Sequence, residues 1–212
     1  MARFACLALA TAACLLAVTI SGGYAGLPEA ARRFTVMVDA GHGGQDPGAQ
    51  VAGVDEKDVN LAIVFRLASL ARDYPALRVV LTRASDRYVD LRARVQLAER
   101  VGAVLYLSIH ANACSDPQVC GVETWVDDER DSTDPSWELA RAVQRQVCAH
   151  VGAADRGVHA QRLYMRHTDL PAALLEVGYL TCPAERRRLV DPAYQEELAR
   201  AALAGILAFL GL

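Results

Sequence analysis

Four side chains far apart in the sequence, His42, Glu56, His110 and Glu176, are of the types that metal-dependent hydrolysis requires. Two histidines and a carboxylate supply three nitrogen or oxygen ligands to a divalent ion such as zinc and leave one position open for water. The ion lowers the pKa of that water from about 15.7 toward about 7, so hydroxide is available at neutral pH. A second carboxylate must then take the proton and return it to the departing group. Glu176 suits that work, because its neighbours Leu174, Leu175 and Val177 imply a dry setting that raises a carboxyl pKa. Each residue taken singly also has a plainer reading. His42 in a glycine-rich turn reads as a surface histidine, Glu56 as a first-turn acid favoured by the helix dipole, and His110 as a satisfied core histidine. Glu176 resists such a reading, since a carboxylate inside Ala172-Ala173-Leu174-Leu175-Glu176-Val177 is costly unless paired or used.

The elements expected around these residues put each at a strand end or a helix start, where ligand sites form in open α/β sheets. Residues 33–39 are apolar and β-branched and run into Ala40-Gly41-His42-Gly43-Gly44, a strand followed by a tight turn. Asp55 is the expected N-cap of a helix over residues 56–72 that begins with Glu56. Residues 78–82 read as a strand, 91–100 as a helix, and 104–108 as a buried central strand with His110 just beyond its end. A strand over 121–126, an amphipathic helix over 136–151, a short strand around 162–165 and a buried strand over 172–177 carrying Glu176 follow. A last helix spans 192–210, with Tyr194, Leu198, Ala202, Ile206 and Phe209 facing inward. Alternation of this kind predicts an α/β sandwich whose central sheet, mostly parallel or mixed and of about six strands, is flanked by helices.

At 212 residues and 53% hydrophobic, the chain fits a single domain once its N-terminal segment is set aside. Residues 1–25 carry Arg3, an uncharged run from Phe4 to Ile20 and a small-residue end at Ala25, which reads as a secretory signal cleaved there. An uncleaved membrane anchor and a lipidated Cys14 are the other readings. Residues 26–33 form a short linker and 34–212 the domain. Loss of Arg3 moves the formal charge from -3 to -4, a balance that offers no drive toward nucleic acid. The remaining cysteines are Cys114, Cys120, Cys148 and Cys182, an even number suited to an oxidising compartment. Cys114 and Cys120 bracket a short loop and are the expected first bridge, with Cys148 and Cys182 the second; the other connectivities and free thiols stay open.

Four separated blocks carry a family resemblance. They are Val36-Met37-Val38-Asp39-Ala40-Gly41-His42-Gly43-Gly44-Gln45-Asp46-Pro47-Gly48-Ala49, then Glu56-Lys57-Asp58 opening a helix, then Ser108-Ile109-His110-Ala111-Asn112, then Leu175-Glu176-Val177-Gly178-Tyr179-Leu180. Leu81-Thr82-Arg83, Asp86 and Leu91-Arg92-Ala93-Arg94 fall between them. In this order they resemble the zinc-dependent N-acetylmuramoyl-L-alanine amidases of the Amidase_3 family, from about Phe34 to Leu210. The resemblance implies a phosphorylase/hydrolase-like α/β fold, one zinc ion on His42, Glu56 and His110, and general acid/base work by Glu176. It implies peptidoglycan as substrate, cut between the lactyl group of N-acetylmuramic acid and L-alanine, in the periplasm or outside the cell. Arg83 and Asn112 are candidate substrate contacts, although Arg83 could equally pair with Asp86 and Asn112 could orient the loop behind His110. A peptidase acting on the stem peptide and a silent peptidoglycan-binding module are the competing readings. Membrane association is expected only through an uncleaved signal. Some cell-division amidases of the family carry a long inserted helix that plugs the zinc site until an activator binds. The span between the second histidine block and the Glu176 block is too short for it here, so an open site is expected and any activator is unknown.

Overall fold

The computed structural model describes residues 33–212; the expected signal segment, and the linker apart from Arg33, lie outside them. Eight strands and five helices follow in chain order: β1 Phe34–Ala40, the hairpin β2 Gln50–Val51 and β3 Val54–Asp55, α1 Glu56–Leu70, β4 Leu77–Leu81, α2 Leu91–Arg100, β5 Leu105–Asn112, β6 Val122–Asp127, α3 Pro135–Val151, β7 Asp155–Gln161, β8 Ala172–Tyr179, α4 Pro183–Leu189 and α5 Pro192–Leu210. The main sheet has six strands in the order β4-β1-β5-β8-β6-β7. The first four are parallel, β6 runs antiparallel to β8, and β7 is parallel to β6, so the mixed form of the expected sheet is the one present.

The two faces of the sheet differ. Val36, Val38, Leu105, Leu107, Ile109, Ala173 and Leu175 point to one face and join the main core with α1, α3 and α5. Gly205 of α5 allows the close approach of α3, since a Cβ there would lie 2.6 Å from the Cα of Val143. The other face carries a smaller core of Met37, Tyr106 and Ala172, covered by Ala98 of α2 and by Met165 of a 3-10 turn, Tyr164–His167. Because helices cover only part of this second face, the strand ends bearing Asp39, Ser108, His110 and Glu176 can be polar there. Local sequence sets the helix ends: Asp90, Asp134 and Asp191 cap α2, α3 and α5 through their side chains, and proline sits in the first turn of α3, α4 and α5.

Several expectations are corrected. β5 continues to Asn112, so His110 lies within the strand rather than after it. The strand expected around 162–165 is instead the 3-10 turn, and the strand of this region lies earlier, as β7. β7 is an exposed edge that pairs only with β6, so it shows none of the apolar alternation that marks a half-buried strand. The short helix α4 was also not expected. The bridge present is Cys120–Cys182, with Cα atoms 5.6 Å apart, and not Cys114–Cys120 or Cys148–Cys182; Cys114 and Cys148 are free thiols. Its cause is topological: the antiparallel pairing of β6 and β8 brings the segment before β6 beside the segment after β8. Cys148 faces Gln144 and Asp155, where burial first and the nearby carboxylate second push its thiol up to about 12. Among the described residues no helix is long and apolar enough to cross a membrane.

Candidate metal centre

The backbone turns sharply after β1, and His42 adopts a left-handed φ of 61°, a conformation that costs energy in a residue with a Cβ and collects at functional sites. Two glycines make the centre possible. A Cβ on Gly41 would lie 2.2 Å from the His110 ring, and one on Gly48 would lie 2.5 Å from Glu56 Oε2 and 2.6 Å from His42 Cδ2. Glu56 opens α1 in the turn beside them. Its carboxylate is 5% exposed and accepts from the backbone of Ala49 (2.9 Å) and Ala111 (3.3 Å) and from Asn60 Nδ2 (3.2 Å). It faces His110 Nδ1 across 2.8 Å and His42 Nε2 across 3.2 Å.

Donor atoms of His42, Glu56 and His110 all fall within 4.8 Å of one another. Against the opposing effect of burial, the hydrogen bonds from His110 and His42 hold the Glu56 carboxyl well below the usual carboxylate range. Burial likewise opposes a charge on His42, yet Glu56 and then Asp46 raise its pKa. The pocket therefore favours positive charge, which a divalent cation provides. Asp46 Oδ2 lies 2.8 Å from His42 Nδ1, fixing the ring and leaving Nε2 toward Glu56, as carboxylates do behind ligand histidines. The donor types, their convergence and this orienting carboxylate fit a zinc-type centre.

Glu176 lies on β8 in register with His110 of β5, so the two share the partly covered face. Its Oε2 is sealed from solvent and has no hydrogen-bond partner, a condition rare for a buried carboxylate oxygen and one that calls for a reason. Burial, followed by the charges of Glu56 and Glu123, pushes its carboxyl well above the usual range. A cleft of about 200 Å³ adjoins His110 on the side of Tyr106, Leu163, Tyr164 and Leu174. A second, of about 250 Å³, lies on the side of His42, Asp46 and Tyr88.

The expectation of a substrate contact at Arg83 is corrected. Arg83 is 1% exposed, and its guanidinium donates to the carbonyls of Ala40, Gly41, Lys57 and Ser85 at 2.8–3.2 Å. Asp86 pairs with Lys57 Nζ at 2.8 Å. Asn112 donates through Nδ2 to Glu123 Oε1 (2.7 Å), and its Oδ1 accepts from Ala113 N.

Sequence reasoning missed three features. Asp46 orients His42 through a contact that the sequence does not reveal. Asp39, buried at the end of β1, accepts from Ser108 Oγ (2.6 Å) and Arg94 Nη1 (2.7 Å); Arg94 also grips the carbonyls of Ala40 and His42. Glu123 is 3% exposed and is paired in register with Glu176. The signal that singles out Glu176, an acid in an apolar strand, also marks Asp39.

Residues 36–208 match the Amidase_3 family, N-acetylmuramoyl-L-alanine amidase. The chain is 34% identical over 176 residues to the N-acetylmuramoyl-L-alanine amidase LytC of Bacillus subtilis (strain 168), covering 82% of this chain and 35% of LytC; it thus spans about a third of that relative. The crystal structure of N-acetylmuramoyl-L-alanine amidase from Clostridium difficile 630 superposes with a TM-score of 0.81 at 35% identity, covering 85% of this chain and 98% of that one. The CwlD amidase from Clostridioides difficile, solved in complex with the GerS lipoprotein, superposes with a TM-score of 0.78 at 30% identity, covering 84% and 99%. The extent of the family match, over the same span that folds around the His42, Glu56 and His110 centre, shows that this chain belongs to the Amidase_3 family of N-acetylmuramoyl-L-alanine amidases.

Proposed function

We propose that the chain hydrolyses the amide between the lactyl group of N-acetylmuramic acid and L-alanine in peptidoglycan, with one zinc ion held by His42, Glu56 and His110. The observation that carries this reading is the convergence of the three donors beside a buried, unpartnered Glu176 oxygen, in a chain of this family. When bound, the ion supplies polarisation of the scissile carbonyl and acidification of water. Glu176 takes the proton from the attacking water and returns it to the alanine nitrogen as the C–N bond breaks. Its buried setting suits that work, because burial raises the carboxyl's pKa and so strengthens its carboxylate as a base. Asp46 keeps His42 in one ring orientation, and Arg83 and Arg94 hold the carbonyls of residues 40–42 so that the turn cannot drift.

The centre is open to substrate: the side chains of His42 and His110 are 25% and 17% exposed, and α3, the helix between the second histidine block and Glu176, packs on the opposite face against α5. No plug has to be displaced among the described residues. A binding partner, as the GerS lipoprotein is for CwlD, would have no plug to displace there. Peptidoglycan places the enzyme outside the cytoplasm, and the Cys120–Cys182 bridge suits that oxidising location. Digestion of purified muropeptides followed by mass analysis tests the bond assignment. The expected products are a glycan with a free lactyl carboxylate and an intact stem peptide beginning at L-alanine; cleavage confined to the stem peptide would overturn it.

A further inference from the structure

The pairing of β5 with β8 breaks at the candidate site. His110 pairs with Glu176, but the next partners are Asn112 and Tyr179, two steps along one strand against three along the other. Within that extra step Gly178 has a φ of 144°. Regular alternation would turn Tyr179 to the face opposite Glu176, and the bulge brings both to one side. Glu123 lies on that side, one strand further out and in register with Glu176. Its Oε1 accepts from Asn112 Nδ2 (2.7 Å) and from the Tyr179 hydroxyl (2.9 Å), the pair just past the break, and from Trp125 Nε1 (3.2 Å). Its Oε2 accepts from Arg156 Nε of β7 (2.9 Å). One buried carboxylate thus joins four neighbouring strands at the irregular step just past the His110–Glu176 pair.

We propose that Glu123 is a positioning residue for hydrolysis: its carboxylate clamps the bulged β5–β8 register and so holds Glu176 beside His110. The proposal rests on the reading of Glu176 as the proton carrier. At a bulge the ladder bonds are locally lost, so side-chain bonds must define the register there. Glu123 supplies them in charge-assisted form, stronger than neutral ones, with Arg156 balancing the buried charge. A glutamine would keep the shape but turn an NH2 donor against Asn112 and Tyr179 or against Arg156, so one side of the clamp opens.

The test compares Glu123→Gln, Tyr179→Phe and the double variant with the unchanged protein, measuring kcat and KM on muropeptides, bound zinc and melting temperature. Misplacement of reacting groups costs about 10- to 100-fold, and the loss expected for Glu123→Gln is of that order in kcat, with KM within about 2-fold and one zinc retained. Tyr179→Phe is expected to lose several-fold, and the double variant to be no worse than Glu123→Gln, because both act through one hydrogen bond. Unchanged kcat in both single variants, losses confined to KM, or losses that multiply in the double variant would overturn the proposal. Tyr179→Phe decides alone if Glu123→Gln does not fold. Glu176→Gln is run alongside: full activity there removes the proton-carrying role, whereas an inactive Glu176→Gln beside a fully active Glu123→Gln removes only the clamp.

Discussion

Glu176 combines two demands that oppose each other. A carboxyl with a sealed, unpartnered oxygen costs stability, and the same isolation raises its pKa, as the proposed proton-carrying role requires. A raised folded-state pKa means that its ionisation works against folding. In the metal-free protein its contribution is therefore most favourable below the ordinary glutamate value and declines as pH rises through the folded value. Glu176→Gln cannot ionise. The expected outcome is a fall in kcat of about 10²- to 10⁴-fold, together with a melting temperature of the metal-free protein at pH 7–8 that is higher by roughly 2–4 °C, the scale of about 1 kcal/mol in a domain of this size. Scanning calorimetry and muropeptide kinetics on one preparation check both. Glu176 was legible in the sequence because an acid among leucines and valines has few bland explanations. His42, Glu56 and His110 were legible as ligand types, and the family resemblance supplied their joint role. Asp46 and Glu123 were not, because their importance lies in which nitrogen or hydroxyl they face, and no spacing rule encodes a partner 56 residues away such as Tyr179.

At the scale of elements, two ties set where strand ends lie. Cys120–Cys182 closes a 62-residue separation and fastens the start of β6 to the end of β8. A paired Cys120→Ser, Cys182→Ser variant is expected to lose about 2–4 kcal/mol, read as a lower urea midpoint under non-reducing conditions. The second tie is Asp39, which links β1 to β5 through Ser108 and to α2 through Arg94. Burial raises its pKa, but Arg94 and then the hydroxyls of Ser108 and Thr82 outweigh it, so the carboxyl sits below its ordinary value. A depressed carboxyl contributes stability that is present above the ordinary aspartate value and is lost as pH falls through the folded value. Asp39→Asn is accordingly expected to be less stable than the unchanged protein by about 3–5 kcal/mol at pH 7, the cost of leaving a buried partner charge uncompensated. Denaturant titrations below about pH 4 should show that gap narrowing; a gap independent of pH would contradict the assignment. Most elements were legible at this scale because strands covered on both faces are apolar runs and the helices carry acidic caps. β7 and the disulfide were not: an exposed edge strand needs no apolar pattern, and the bridge follows from an antiparallel pairing that sequence distance does not reveal.

The described residues form a sheet with one face covered by α1, α3 and α5 and the other covered in part, and the candidate metal centre lies where the cover stops. Its α/β class follows from alternating strands and helices, while the antiparallel β6 that puts Glu123 opposite Glu176 follows only from the three-dimensional path. In the proposed function a single zinc on His42, Glu56 and His110 makes this fold hydrolytic. Titration of chelated protein with zinc, with the muropeptide products followed by mass, tests it most directly. Activity is expected to be absent after chelation and to return in full at about one equivalent of zinc per chain, as a single three-ligand site requires, and Glu56→Gln is expected not to recover under the same titration. Full activity in the chelated protein, or equal recovery by Glu56→Gln, would contradict the account.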